Sequence, residues 1–332
     1  MKRILPGFHG EIEMAEGTRV LNRMTRCSAL QLAVVSTLSM MIAARTFASA
    51  LYSPPSPVSQ AAIQNQEAVT VLAPGSEVER DLAPGDQHKY QLALGAGQWA
   101  RLIVAQHGIE VVVEMLGPDN ALLAKFNDEV RPVGEQEMAL VAETAGVYTL
   151  VAKAKFKGLP SGSYSIRFAE ARAARDDDRS LFEARKLQSQ YESLNLAGKQ
   201  AAALPLAERA LEIAEKLRGI DQVYLAVLMR NVGSLQWFME NPAKAQQLYE
   251  RALAIFKQAL GPDHPLTAFT ESGLASLYRA AGEYDRAEQT LRRSIAVEER
   301  TLGPEHPWVA ESLRTLGALY SERAAPTGRS GC

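Results

Sequence analysis

Apolar residues recur along the C-terminal half of the chain with a long, fixed period. The hexapeptide Glu-Arg-Ala-Leu-Glu-Ile at 208–213 aligns with Glu-Arg-Ala-Leu-Ala-Ile at 250–255 and Arg-Arg-Ser-Ile-Ala-Val at 292–297, a step of 42 residues. The step continues through Gly219, Gly261 and Gly303, then Ala226, Ala268 and Ala310, then Leu235, Leu277 and Leu319. Ala184 lies one step before Ala226, and Gly198 two steps before Gly282, so a weaker copy precedes the clear ones. Inside each copy the spacing is helical: Leu204, Ala207, Leu211 and Ala214, or Leu248, Ala252 and Ile255, form the i, i+3/i+4 stripe of an amphipathic helix. The pattern predicts seven helices, roughly 178–196, 200–217, 222–239, 243–259, 264–280, 284–301 and 306–323. Such a period is the signature of a solenoid, whose repeats bury their apolar faces against their neighbours. Ala203, Ala245 and Ala287, with Ala210, Ala252 and Ser294, keep a small residue where paired helices approach most closely. Pro205 is the one interior breaker and is expected to delay or kink its helix.

Upstream the period shortens to two. Strands are predicted at 77–82, 88–94, 98–106, 110–116, 121–126, 137–142, 146–152 and 163–168. Turn chemistry separates them, as in Ala83-Pro84-Gly85-Asp86 and Gly117-Pro118-Asp119-Asn120. Short strands at this spacing argue for an antiparallel sandwich of jelly-roll type. Its core would be Tyr90, Leu92, Leu102, Val104, Val111, Val113, Met115, Tyr148, Leu150, Tyr164 and Ile166. The expected organisation is therefore multidomain: a leader over 1–50, a disordered linker over 51–67, an all-β sandwich over 68–170, an all-α solenoid of about three and a half repeats over 176–325, and a disordered tail over 326–332. Ala and charged residues between Glu170 and Arg179 could continue one helix across the joint, and the two domains read as semi-independent.

Composition narrows the function. The formal net charge of −2 in 332 residues, with no strongly basic stretch, lacks the footprint of a nucleic-acid binder. The two cysteines, Cys27 and Cys332, lie outside both folded regions, which excludes a disulfide framework or a Cys-based metal site there. An uncharged, mostly apolar run at 27–44 follows several basic residues and precedes Ala48-Ser49-Ala50, a small-x-small site of the kind a signal peptidase cuts. This predicts export, to the periplasm, the medium or the cell envelope; the competing reading is an uncleaved N-terminal membrane anchor. Met24 as the true start would give a leader of more ordinary length.

The repeats resemble the tetratricopeptide repeat in its 42-residue, kinesin-light-chain-like version. The resemblance rests on Leu274-Ala275, Tyr278, Gly282-Glu-Tyr-Asp-Arg-Ala287, Ser294 and the connector Leu260-Gly-Pro-Asp-His-Pro265, which recurs as Leu302-Gly-Pro-Glu-His-Pro307. In the preceding copy the connector has decayed to Arg218-Gly-Ile-Asp-Gln-Val, and Glu240-Asn-Pro replaces the Gly-Glu-Tyr turn. The β region, through SEVERDLAPGDQHKYQLALGAGQWARLIV, VEMLGPDNALLAKF, AGVYTLVAKA and SGSYSIRF, resembles the bacterial pre-peptidase C-terminal domain. That resemblance implies a secreted accessory or binding module. The repeat resemblance implies a concave groove lined by the first helix of each repeat. By register the groove positions are Arg230, Asn231, Ser234, Trp237, Ser272, Ser276, Arg279 and Arg314, suited to a peptide with acidic and apolar side chains.

Other chemistry is sparse. No nucleophile elbow, HExxH helix, phosphate-binding loop or dinucleotide fingerprint occurs, so the chain reads as non-enzymatic, with no cofactor and no metal. His264 and His306 repeat within the connector, between an acid and a proline, which points to helix initiation rather than catalysis. Asp119, Asn120, Asn127, Asp128 and Glu129 could in principle gather calcium, but solvated turn residues are the simpler reading. The expected function is an exported scaffold docking a protein or peptide partner. The alternatives are glycan or cell-surface binding through the sandwich, with Trp99 as its one aromatic candidate, and a truncated regulatory half of a CHAT-peptidase-type protein. Composition sets neither the partner nor the oligomeric state.

Overall fold

Alternating apolar positions in the N-terminal region close two sheets face to face. The computed structural model describes residues 69–324, so the expected leader, linker and tail lie outside the described residues. Nine strands are present there: β1 (Thr70–Val71), β2 (Glu77–Leu82), β3 (Gln87–Leu94), β4 (Gln98–His107), β5 (Val111–Leu116), β6 (Leu122–Phe126), β7 (Val133–Ala142), β8 (Gly146–Ala154) and β9 (Gly162–Ala173). One sheet runs β1-β3-β8-β5-β6 and the other β2-β9-β4-β7. Apart from the short parallel β1, every pairing is antiparallel. From β2 onward the two four-strand orders are those of a jelly roll. Every residue expected in the core is buried. At the β5–β6 turn, Asn120 takes φ 61° where such turns favour glycine, and the Asp119 carboxylate accepts the Ala121 N–H.

Strand β9 runs on to Ala173, which overturns the expected helical joint. Its extra residues pair with β4 as far as Gln98, so the backbone finds sheet partners in place of helical ones. Only Ala174 and Arg175 separate it from the first helix. Arg172 grips Asp178 in that helix with two bonds of 2.6 and 2.9 Å, and Ala174 N–H donates to Gly97. The described residues fall within one compact unit.

Seven helices follow: α1 (Asp176–Leu196), α2 (Gln200–Lys216), α3 (Gln222–Phe238), α4 (Pro242–Ala259), α5 (Pro265–Ala280), α6 (Tyr284–Leu302) and α7 (Pro307–Ala324). They pair as α1/α2, α3/α4 and α5/α6, with α7 stacked last against α5 and α6. Ala203, Ala245 and Ala287, and Ala210, Ala252 and Ser294, are all fully buried at the crossings. Pro205 neither delays nor ends α2. It is exposed, so the carbonyl it leaves unpaired faces water.

Two positions depart from the regular pattern. Glu240 occupies the step between Gly198 and Gly282, and all three adopt positive φ, with Glu240 at 58°. A side chain there is strained where glycine is not. Glu240→Gly is expected to raise stability by about 0.5–1 kcal/mol, read as a higher midpoint at unchanged slope in urea.

Glu298 of α6 is fully buried, and neither carboxylate oxygen has a hydrogen-bond partner. Ser272 of α5 and Ser312 of α7 lie close by but bond each other at 2.9 Å. Burial pushes the carboxyl up to about 8, against the opposing pull of those two hydroxyls. The folded chain thus keeps a proton that the unfolded chain releases near 4.5, and stability falls as pH rises from about 4.5 through about 8. Glu298→Gln is expected to flatten that slope and to exceed the parent by on the order of 3 kcal/mol at pH 9. Denaturant titrations at pH 5 and pH 9 measure the difference.

Candidate functional site

The first helix of each repeat faces the sandwich, and the seam between them is the most elaborate polar region of the described residues. It begins with a sheet edge. β6 ends the five-stranded sheet, and its Lys125 N–H donates to Ser189 Oγ of α1 at 2.7 Å, so a helix side chain closes an otherwise open ladder. Phe182 of α1 enters the sandwich core, while Val130, from the loop between β6 and β7, enters the helical core. Beside them Arg185 pairs with Asp128 at 2.5 Å and lies 3.6 Å over the Tyr224 ring. Burial works against the charged guanidinium, and the Asp128 carboxylate more than restores it, leaving Arg185 above its ordinary value.

A second contact lies at the far end of the array. Glu110, just before β5, is buried and accepts from His306 Nε2 at 2.9 Å and from Lys155 Nζ at 3.0 Å. His306, 1 % exposed, also accepts the Trp308 N–H on Nδ1 at 3.1 Å. That bond leaves Nε2 to carry the proton it gives to Glu110. Phe156 packs edge-on against the same imidazole at 5.1 Å. His264 repeats the cap, taking the Leu266 N–H at 3.2 Å. Burial, and then the Arg131 guanidinium, push its imidazole down to about 4 despite Glu129. Both connector histidines therefore start helices, as the sequence suggested, and both also face the sandwich, which it did not.

Between these contacts lies a cavity of about 220 Å³, lined by α1, α3, α5 and α7 on one side and by Asn127, Asp128, Val130 and Lys155 on the other. Of the groove positions read from register, Arg230, Asn231 and Ser234 line it. Arg230 donates through Nε and Nη2 to Asn231 Oδ1, at 3.3 and 3.0 Å, and Asn231 Nδ2 donates to Tyr191 OH at 2.8 Å. Burial lowers the Arg230 guanidinium from its ordinary value and raises the carboxyl of Glu192 opposite. Trp237 packs with Ala245, Tyr249, Leu274 and Leu277 of the following helices. Ser272 is buried against Ser312, and Ser276 bonds back to the Ser272 carbonyl. Arg279 pairs with Glu322, and the exposed Arg314 with Glu311.

The other candidates have structural partners. Asp128 is held by Arg185, and Glu129 by Arg131 at 2.8 Å. Among the described residues no group of three or more His, Cys, Asp or Glu is placed to hold a metal. Trp99 is half-buried, packs against the sandwich core and has one face covered by the Arg172 guanidinium at 3.8 Å. Glu110, Lys155, Tyr191 and Arg185 were not singled out in the sequence. The acidic stretch 127–129 was the nearest signal, and it marks a docking loop.

Residues 192–258, 239–299 and 270–326 each match the tetratricopeptide repeat family model. The helical half is built of tetratricopeptide repeats. Among solved structures, BtubC (BKLC) from P. vanneervenii is 22% identical over 45% of this chain and 65% of its own, with a TM-score of 0.37. The chain thus spans a little under two thirds of that relative. A putative kinesin light chain from Podosopora anserina is 21% identical over 45% of this chain and 69% of its own, at a TM-score of 0.35. The pre-peptidase C-terminal domain of a Bacillus anthracis collagenase is 14% identical over 32% of this chain and 96% of its own, at 0.25. No curated protein matches the chain.

Breaking one partner of a buried ion pair strands the other. Glu110→Ala is expected to cost about 3–5 kcal/mol and to split one urea transition into two, for sandwich and repeats. Tryptophan fluorescence together with far-UV circular dichroism reads both halves; a single unshifted transition would show that the seam holds without Glu110.

Proposed function

We propose that the chain is an exported, non-enzymatic scaffold that docks a protein or peptide partner on the part of its repeat surface left open by the sandwich. Tetratricopeptide repeats as a class support protein–protein interaction, and one feature of this array carries the reading further. Leu196, Phe238 and Met239, at or just past the ends of α1 and α3, are 86 %, 61 % and 42 % exposed. Leu196 and Phe238 stand one repeat apart, so the apolar ledge follows the stacking of the repeats. Exposed apolar side chains grouped on one edge mark an interaction surface more often than a scattered few do. Arg279 and Arg314 carry carboxylates of their own, so apolar contact rather than acidic charge would dominate recognition.

Export is supported by the basic, apolar and small-residue order of positions 1–50. Among the described residues no helix is long and apolar enough to cross a membrane. The docking test is crosslinking capture from the envelope fraction, comparing the intact chain with a Phe238→Asp, Met239→Ser double variant. Both side chains are exposed, so the fold is expected to survive and capture of a specific partner to fall roughly tenfold or more. Equal capture by both proteins, or retention only of polysaccharide, would overturn the docking reading.

A further inference from the structure

The cavity at the seam contains a charge that its own residues do not balance. Arg230 is a permanent cation and a pure donor. Two of its nitrogens are spent on Asn231, while the buried Nη1 has no hydrogen-bond partner. Among the described residues no carboxylate approaches it within ion-pair distance: Asp128 is taken by Arg185, and Glu110 by Lys155 and His306. Glu192, the other acid lining the cavity, accepts from Gln188 at 2.9 Å and is shifted by burial toward its neutral form. A buried cation without a counter-charge is costly, which is why burial depresses Arg230.

The surroundings specify what would balance it. Asn231 accepts from Arg230 and donates to Tyr191, so the Tyr191 hydroxyl has its own proton left to give. Arg230 lies 5.7 Å from the centroid of Trp308, which stacks on Phe269 at 4.3 Å. Val130, Val227, Leu235 and Leu266 complete an apolar wall. Donors and hydrocarbon thus line the same cavity of about 220 Å³. That is smaller than a drug-sized site and suits a molecule of about ten non-hydrogen atoms.

We propose that the cavity between the sandwich and the repeats binds a small monocarboxylate with an apolar or aryl body, its carboxylate on Arg230 Nη1 and its body against Trp308. The site is composite, since Val130 and Lys155 come from the sandwich and Arg230 and Trp308 from the repeats. The ligand would therefore bridge the two and tighten the seam. This assignment stands apart from partner docking on the exposed ledge, because Phe238 and Met239 do not line the cavity.

Benzoate is a suitable probe, with benzamide as its uncharged isostere and inorganic phosphate as an anion without an apolar body. Isothermal calorimetry and thermal unfolding of the intact chain are the readouts. Benzoate is expected to bind about tenfold or more tightly than benzamide, as a charge-assisted bond implies, and to raise the melting temperature. Arg230→Gln is expected to abolish both effects while Phe238→Asp leaves them intact. Benzamide or phosphate binding as well as benzoate, or no benzoate binding at millimolar concentration, would overturn the proposal. The comparison of the three probes on the unaltered chain decides the matter even where the Arg230 variant does not fold.

Discussion

One buried carboxylate, Glu110, sets the relation between the two halves of the molecule. It lies 196 residues before the imidazole that donates to it. Without Lys155 and His306 it would be a buried, unpaired charge, and without Glu110 the other two would lose their partner. The contact has few alternatives, because the His306 ring is fixed on its other side by the Trp308 N–H and flanked by Phe156. A helix cap and a domain clamp are thus made by the same five-membered ring. At the opposite end Asp128 and Arg185 repeat the arrangement, with the acid again on the sandwich side and the base on the repeats.

Local periodicity carried most of the fold. Period two gave the strands and their inward side chains, and the repeat step gave the helices, their small-residue crossings and the connectors. These are neighbour-to-neighbour properties, and a periodic sequence displays them openly. The β9 extension was hidden because Glu170–Arg175 has a composition compatible with a helix, and only pairing with β4 decides against it. The seam was hidden for a deeper reason. His264 and His306 look alike in sequence, yet one faces Arg131 and Glu129 and the other meets Glu110. A repeat pattern cannot say which of its copies a separate domain will touch.

The groove positions illustrate the same limit. Register assigned Arg230 and Asn231 to a binding groove, but what they meet in the structure is the chain itself. The loop after β6, from Asn127 to Pro132, and Lys155 after β8 fill space that an isolated array would leave open. Trp237 shows the converse, since an aromatic at a groove position can as readily pack into the following pair. Burial, rather than register, separates the two outcomes.

A stack of helix pairs is ordinarily a spring: each joint yields a little, and the array stretches or twists as the small motions add. Here the first helix and the last connector are pinned to the same rigid sandwich. The small rotations between repeats can no longer accumulate, because both ends must stay a fixed distance apart. An array pinned in this way is expected to hold its curvature as a braced arch does. A surface so held loses little freedom on association, but it selects partners by shape and cannot wrap itself around one that does not already fit.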